Sequence, residues 1–155
     1  MTSSTLYEKD FYAWALAQAD ALRARRSGAN DIDYNHLAEE VEDMGKAELH
    51  AARSYLRNIL SYLLKLVYSV RRDPANHWRA EIVAWRQDLD DTLTPTLRAR
   101  LPGQLAQIYE AAREIAALEL SADNSEIEKL LPGTCPFTWE QMTARAPQWW
   151  PEEPP

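Results

Sequence analysis

An all-α domain is what this sequence predicts, and three observations carry the prediction. From Asp33 to Val70, apolar residues recur at Leu37, Val41, Met44, Ala52, Leu56, Ile59, Leu63, Leu66 and Val70. At 3.6 residues per turn these steps of three, four or their sums make one continuous stripe. Asp73-Pro74 and Thr94-Pro95 each place a capping side chain before a proline suited to the first helical position. No stretch of useful length alternates polar and apolar residues as a half-buried strand would. The expected architecture is a single-domain antiparallel helical bundle over residues 1–155. It has about four main helices, one of them long and central, and short helices toward the C-terminus.

The first helix is predicted from Tyr7 to Ser27, with Phe11, Trp14, Ala15, Ala21 and Leu22 on one side and Arg23, Arg25 and Arg26 in its last turns. Cations there suit the negative end of the helix dipole, and Gly28 stops the helix. Asp33 then caps the long helix. Inside it Gly45 costs about 1 kcal/mol relative to alanine, so a kink or a break into two collinear helices is expected there. The helix opened by Asp73-Pro74 carries Trp78, Ile82, Trp85, Leu89 and Leu93 on one stripe and ends near Thr92. Thr94-Pro95 opens a short segment that Pro102-Gly103 interrupts, and Leu105, Ile108, Ala112, Ile115 and Ala116 mark a further helix to Leu120. After a polar turn at Ser121 to Ser125 come a short helix over Glu126 to Leu131, the break Pro132-Gly133, and a capping box at Thr138 to Gln141 that opens a last short helix to Arg145. The tail over residues 146–155 is rich in proline and tryptophan. It is expected to dock on the bundle, because leaving Trp149 and Trp150 in water forfeits roughly 1.5 to 3 kcal/mol each. The other reading makes those two side chains a hook for a partner.

Composition narrows the function classes. A hydrophobic content of 46% with only 4 glycines in 155 residues is enough for a core. The net charge of −7 offers no global attraction to nucleic acid or anionic membranes. A single cysteine, Cys135, allows no internal disulfide and no cysteine-based zinc site, which suits a reducing, cytoplasmic setting. Beside a proline and with no histidine near it in sequence, it reads as a small buried hydrophobe. No run approaches the roughly 18 apolar residues of a spanning helix, and no membrane association is expected.

Several separate stretches carry a family resemblance. They are Tyr7-Glu-Lys-Asp-Phe-Tyr-Ala-Trp14, Leu37-Ala-Glu-Glu-Val-Glu-Asp-Met-Gly45, Leu63-Leu-Lys65, Trp78 with Arg86, Tyr109 through Ala112-Arg113 to Glu119, and Cys135-Pro-Phe with the late Trp-Pro. In order and spacing they resemble a bacterial family catalogued as domain of unknown function 29. The resemblance implies an all-helical domain and no described activity. It also marks a departure, since relatives often carry histidine where this chain has Tyr62.

Two constellations are candidates for chemistry. His36, Glu40 and Asp43, with Glu39 alongside, share one face of the long helix and are types that can hold a divalent metal. A solvated acidic face at a helix N-terminus is the plainer reading of the same residues, and no cofactor is predicted. The segment Arg72-Asp-Pro-Ala-Asn-His77 resembles the motif of the helical HEPN ribonucleases, in which an arginine holds a phosphate and a histidine moves a proton. Between Lys46 and Arg79 seven basic residues outnumber two acidic ones, so this is where a nucleic acid would bind. Pro74 inside the motif argues for a helix start instead. Lys65 and Arg86 stand beside apolar stripes, and one of them is expected to pair with Glu39, Glu40 or Glu42 as a partly buried ion pair.

With strong packing signals and no convergent catalytic set, the sequence points to a protein-interaction or self-association module binding a protein partner or a second copy of itself. The alternatives are a metal-independent ribonuclease using Arg72 and His77, and a divalent-metal-binding bundle.

Overall fold

The computed structural model describes residues 3–25 and 32–152. The expected end of the first helix at Arg26 and Ser27, its stop at Gly28 and the last residues of the tail lie outside them. In chain order the helices are α1 (Ser3–Lys9), α2 (Phe11–Ala24), α3 (Tyr34–Tyr68), α4 (Ala75–Thr92), α5 (Pro95–Arg100), α6 (Leu105–Leu120), α7 (Ile127–Leu130) and α8 (Trp139–Thr143), with a 3-10 turn at Leu101–Gln104. Among the described residues all regular structure is helical, with a long central helix, α3. The chain divides into two compact units, residues 1–52 with 92–100 and residues 53–91 with 101–155.

In the first unit the predicted opening helix is two helices, because Asp10 leaves helical geometry at φ −153° and caps the second. Its carboxylate accepts the Ala13 N–H at 2.9 Å and, from the start of α5, the Thr96 N–H at 2.6 Å. Burial alone would raise the carboxyl pKa, but the donors at Ala13 and Thr96 outweigh it and hold the group below the usual carboxylate range. Asp33 caps α3 as expected, its Oδ1 accepting the His36 N–H. α3 runs unbroken through Gly45. A Cβ there would lie 3.0 Å from the Ala15 Cβ and 3.6 Å from the Tyr12 carbonyl oxygen, so the glycine serves a close helix contact and does not break the helix.

That contact changes which residues of α3 face inward. The expected stripe of Leu37, Val41 and Met44 is not the buried one: Leu37 is 45% and Met44 53% exposed, while Ala38 and Gly45 are buried. The buried positions in this half of α3 are the small residues Ala38 and Gly45, and Gly45 lies against Tyr12 and Ala15 of α2, which lets the two backbones approach. The larger side chains lie one residue, about 100° of rotation, away from these positions.

In the second unit the stripe behaves as predicted. Leu56, Ile59, Leu63 and Leu66 are buried, and Leu60 and Leu64 are buried beside them, so this half of α3 is enclosed on several sides. Val70, the last member of the predicted stripe, is exposed beyond the helix end. Tyr109 and Arg113 of α6 fix the segment after α7. The Tyr109 hydroxyl donates to the Pro132 carbonyl at 2.6 Å, and Arg113 donates to the carbonyls of Glu128, Leu131 and Pro132. The capping box at Thr138 and Gln141 is formed, and α8 follows it.

The tail is held by Arg86. This side chain is 1% exposed and donates to the carbonyls of Met142, Gln141 and Trp149 and to Gln148 Oε1. Its guanidinium also sits 5.1 Å from the centre of the Trp150 ring, and the Trp149 ring meets Phe137 edge-on. Burial pulls the Arg86 pKa down to about 10, which leaves it charged at neutral pH.

Candidate functional site

The end of α3 carries the chain's most concentrated chemistry. Lys65, with its side chain 9% exposed, has its ammonium in contact with the Glu119 carboxylate of α6. It lies 4.0 Å from the centre of the Tyr62 ring and 5.8 Å from that of Trp78. A lysine this buried is stable when its charge is met, and here one carboxylate and two aromatic faces meet it. Tyr62 is in turn packed edge-on against Trp85 at 4.7 Å. Burial, then the charges of Glu119 and Glu81, raise the Tyr62 pKa, so its hydroxyl stays protonated.

A cavity of about 280 Å³ opens beside this pair. Its polar wall is Lys65, Ser69, Arg71, Glu119 and Asp123, and its apolar wall is Pro74, Trp78 and Leu120. Ser69 is buried and accepts the Arg71 N–H at its Oγ, 3.1 Å away. The Arg71 guanidinium pairs with Asp73 through two hydrogen bonds. A second depression of about 480 Å³ lies between α6 and α7, lined by Glu110, Arg113, Glu114, Leu118 and Glu128 among others. Arg113 is already committed there to carbonyls at the end of α7.

In the first unit the notable feature is the outward strip of α3. Leu37 and Met44 are exposed and Val41 is half-buried between them. By helix geometry this strip runs between the buried Ala38 and Gly45 seam on one side and Asp33, Glu40 and Asp43 on the other.

The residues singled out from the sequence fall into place differently than expected. His36 is exposed and paired with Asp33, whose hydrogen bond raises the imidazole pKa. Asp43 pairs with Lys46, and Glu39 and Glu40 are exposed. Among the described residues no three His, Cys, Asp or Glu side chains gather as a metal site requires, so the alternative of a ligand face at His36, Glu39, Glu40 and Asp43 gains no support. Arg72 donates to the Leu66 carbonyl at 2.8 Å, closing the end of α3, while His77 is exposed on α4. In the alternative ribonuclease reading these two would grip a phosphate; here one closes a helix end and the other is a solvated ring. The basic run they belong to is largely answered from within: Lys46 by Glu42 and Asp43, Arg53 by Gln104, Lys65 by Glu119 and Arg71 by Asp73. The expected ion pair also needs correction. Lys65 pairs with Glu119, Arg86 is held by carbonyls, and Glu42 pairs with Arg23 at 2.8 Å. Trp149 and Trp150 are half-buried, the first edge-on to Phe137 and the second beside the Arg86 guanidinium. Cys135 is half-buried, and burial pushes its thiol pKa up, away from a nucleophile's range.

Sequence reasoning missed the cavity. Its signal was present only as scattered residues, Lys65, Trp78 and Glu119, that carry the family resemblance but stand on three different helices. A family model for a domain of unknown function, DUF29, matches residues 6–150. The chain belongs to the DUF29 family. The DUF29 chain is also similar to a solved structure, an alpha-helical protein of unknown function from Rhodospirillum rubrum ATCC 11170, with 31% identity over 89% of each chain and a TM-score of 0.64. No curated protein matches it. Three of the residues through which DUF29 was recognisable, Lys65, Trp78 and Glu119, thus converge on one cavity, and a fourth, Arg86, holds the tail.

Proposed function

We propose that this protein is a non-catalytic interaction module that uses the outward strip Leu37, Val41 and Met44 of α3 to bind an amphipathic helix of another protein. The observation that supports the reading is the exposure of two large apolar side chains on a helix whose inner seam is made of alanine and glycine. Exposed apolar side chains in register are more informative than buried ones, and three at steps of four and three residues suit an approaching helix. Charge favours a partner over a second copy. Asp33, Glu40 and Asp43 run beside the strip and the chain carries a net −7, so a helix with lysine or arginine beside its apolar face is attracted and an identical acidic face is repelled.

The test is a photoreactive methionine analogue at position 44, activated in the native host. The expected product is an adduct at a basic amphipathic helix of one protein, abolished by Leu37→Lys. Adducts only to a second copy of this chain, or adducts that persist unchanged in Leu37→Lys, overturn the reading.

A further inference from the structure

We infer that the cavity between the ends of α3 and α6 is a binding site for a small zwitterion, a free α-amino acid. The argument rests on how charge is distributed around it. Lys65 and Arg71 bring positive charge from α3 and the turn after it, and Glu119 and Asp123 bring negative charge from α6 and the turn after it. A ligand of one sign meets repulsion: an anion faces Glu119 and Asp123, a cation faces Lys65 and Arg71. A molecule carrying both signs a few bonds apart meets a partner for each.

The fixed groups are held before any ligand arrives. Lys65 is positioned by Glu119 and by the Tyr62 ring, and Arg71 by Asp73. Ser69, 5% exposed, uses its oxygen to accept from Arg71 and keeps its hydroxyl proton to donate to a carboxylate. Asp123 forms no ion pair among the described residues, although its charge is felt at Arg71, so its oxygens can accept from an ammonium. The exposed side of Glu119, whose side chain is 46% accessible, adds a second acceptor. Trp78, Pro74 and Leu120 offer an apolar surface for a side chain. The volume, about 280 Å³, sits just under the roughly 300 to 1,000 Å³ of ordinary small-molecule pockets, which suits a ligand the size of an amino acid.

The experiment is calorimetric titration of the full chain with each common amino acid, followed by the best binder in two masked forms, the N-acetyl derivative and the methyl ester. Saturable binding with a Kd below about 1 mM is expected, weakened at least about tenfold by either mask. Asp123→Asn and Ser69→Ala should each weaken it by a similar factor while circular dichroism and the thermal midpoint show a folded chain. Absence of saturable binding by any amino acid, equal binding of the ester or the acetylated form, or unchanged affinity in the folded Asp123→Asn protein would each overturn the assignment.

Discussion

A Cβ added at Gly45 would stand 3.0 Å from the Cβ of Ala15, so this pair leaves no room for a side chain on the first half of α3 at that point. Replacing Gly45 by alanine improves intrinsic helix propensity by about 1 kcal/mol. The clash is with a Cβ on a helix backbone, which cannot swing aside as a long side chain can. Gly45→Ala is therefore expected to destabilise the protein by about 1 to 2 kcal/mol net, from an overpacking cost of roughly 2 to 3. Urea denaturation measures it, and Ala15→Gly in the same chain should recover part of the loss by vacating the contact.

Asp10 gives the fold a pH dependence of known sign. Its folded pKa is lowered by the Ala13 and Thr96 donors, so its contribution is present above the unfolded value of about 3.9 and is lost as pH falls through the lower folded value. Asp10→Ala should cost about 2 kcal/mol at pH 7. The gap between variant and wild type should narrow as denaturation is repeated from pH 5 down to pH 3. A gap that widens on acidification would show that the carboxylate is not the stabilising form.

Arg86 is the clasp of the tail. Arg86→Met removes the donor for three carbonyls and leaves them in a closed environment, an expected cost of about 3 kcal/mol. Arg86→Lys should rescue little, because an ammonium cannot reproduce the planar fork that reaches Met142, Gln141 and Trp149 together. Limited proteolysis between Arg145 and Trp150 should accelerate in both variants, reporting release of the segment itself.

The two halves of α3 should respond oppositely to substitution. Leu63→Ala, in the enclosed half, is expected to cost about 2 to 5 kcal/mol. Leu37→Lys and Met44→Lys should change stability by no more than about 0.5 kcal/mol, since both side chains already face water. Paired thermal and urea denaturation of the three variants decides the point.

Most helix positions were legible because each rests on local signals. Thr94-Pro95 opens α5 with the Thr94 hydroxyl accepting the Leu97 N–H, Thr138 with Gln141 opens α8, and the periodicity between Leu105 and Leu120 marks α6, whereas α4 starts at Ala75, one residue later than Asp73-Pro74 signals, because the Asp73 carboxylate pairs with Arg71. The break at Asp10 was not, because an aspartate within a periodic stretch reads as a helical residue until its carboxylate is seen to hold two N–H groups. Gly45 was misread for a related reason: propensity prices a glycine within its own helix, while its value here lies in the helix across from it. Periodicity chose the larger residues as the inner face of α3, and close helix packing chose the smaller ones. Lys65 was recognised as a buried cation but its partner Glu119 lies 54 positions along the chain, a pairing that only the fold creates.

The central claim is that Leu37, Val41 and Met44 face outward and are available to a partner. Hydroxyl-radical footprinting of the purified protein tests it through two methionines, since oxidation follows exposure. Met44, 53% exposed, should convert to sulfoxide readily while Met142, fully buried, stays protected until the protein unfolds. Equal protection of Met44 and Met142 in the isolated chain would contradict the account.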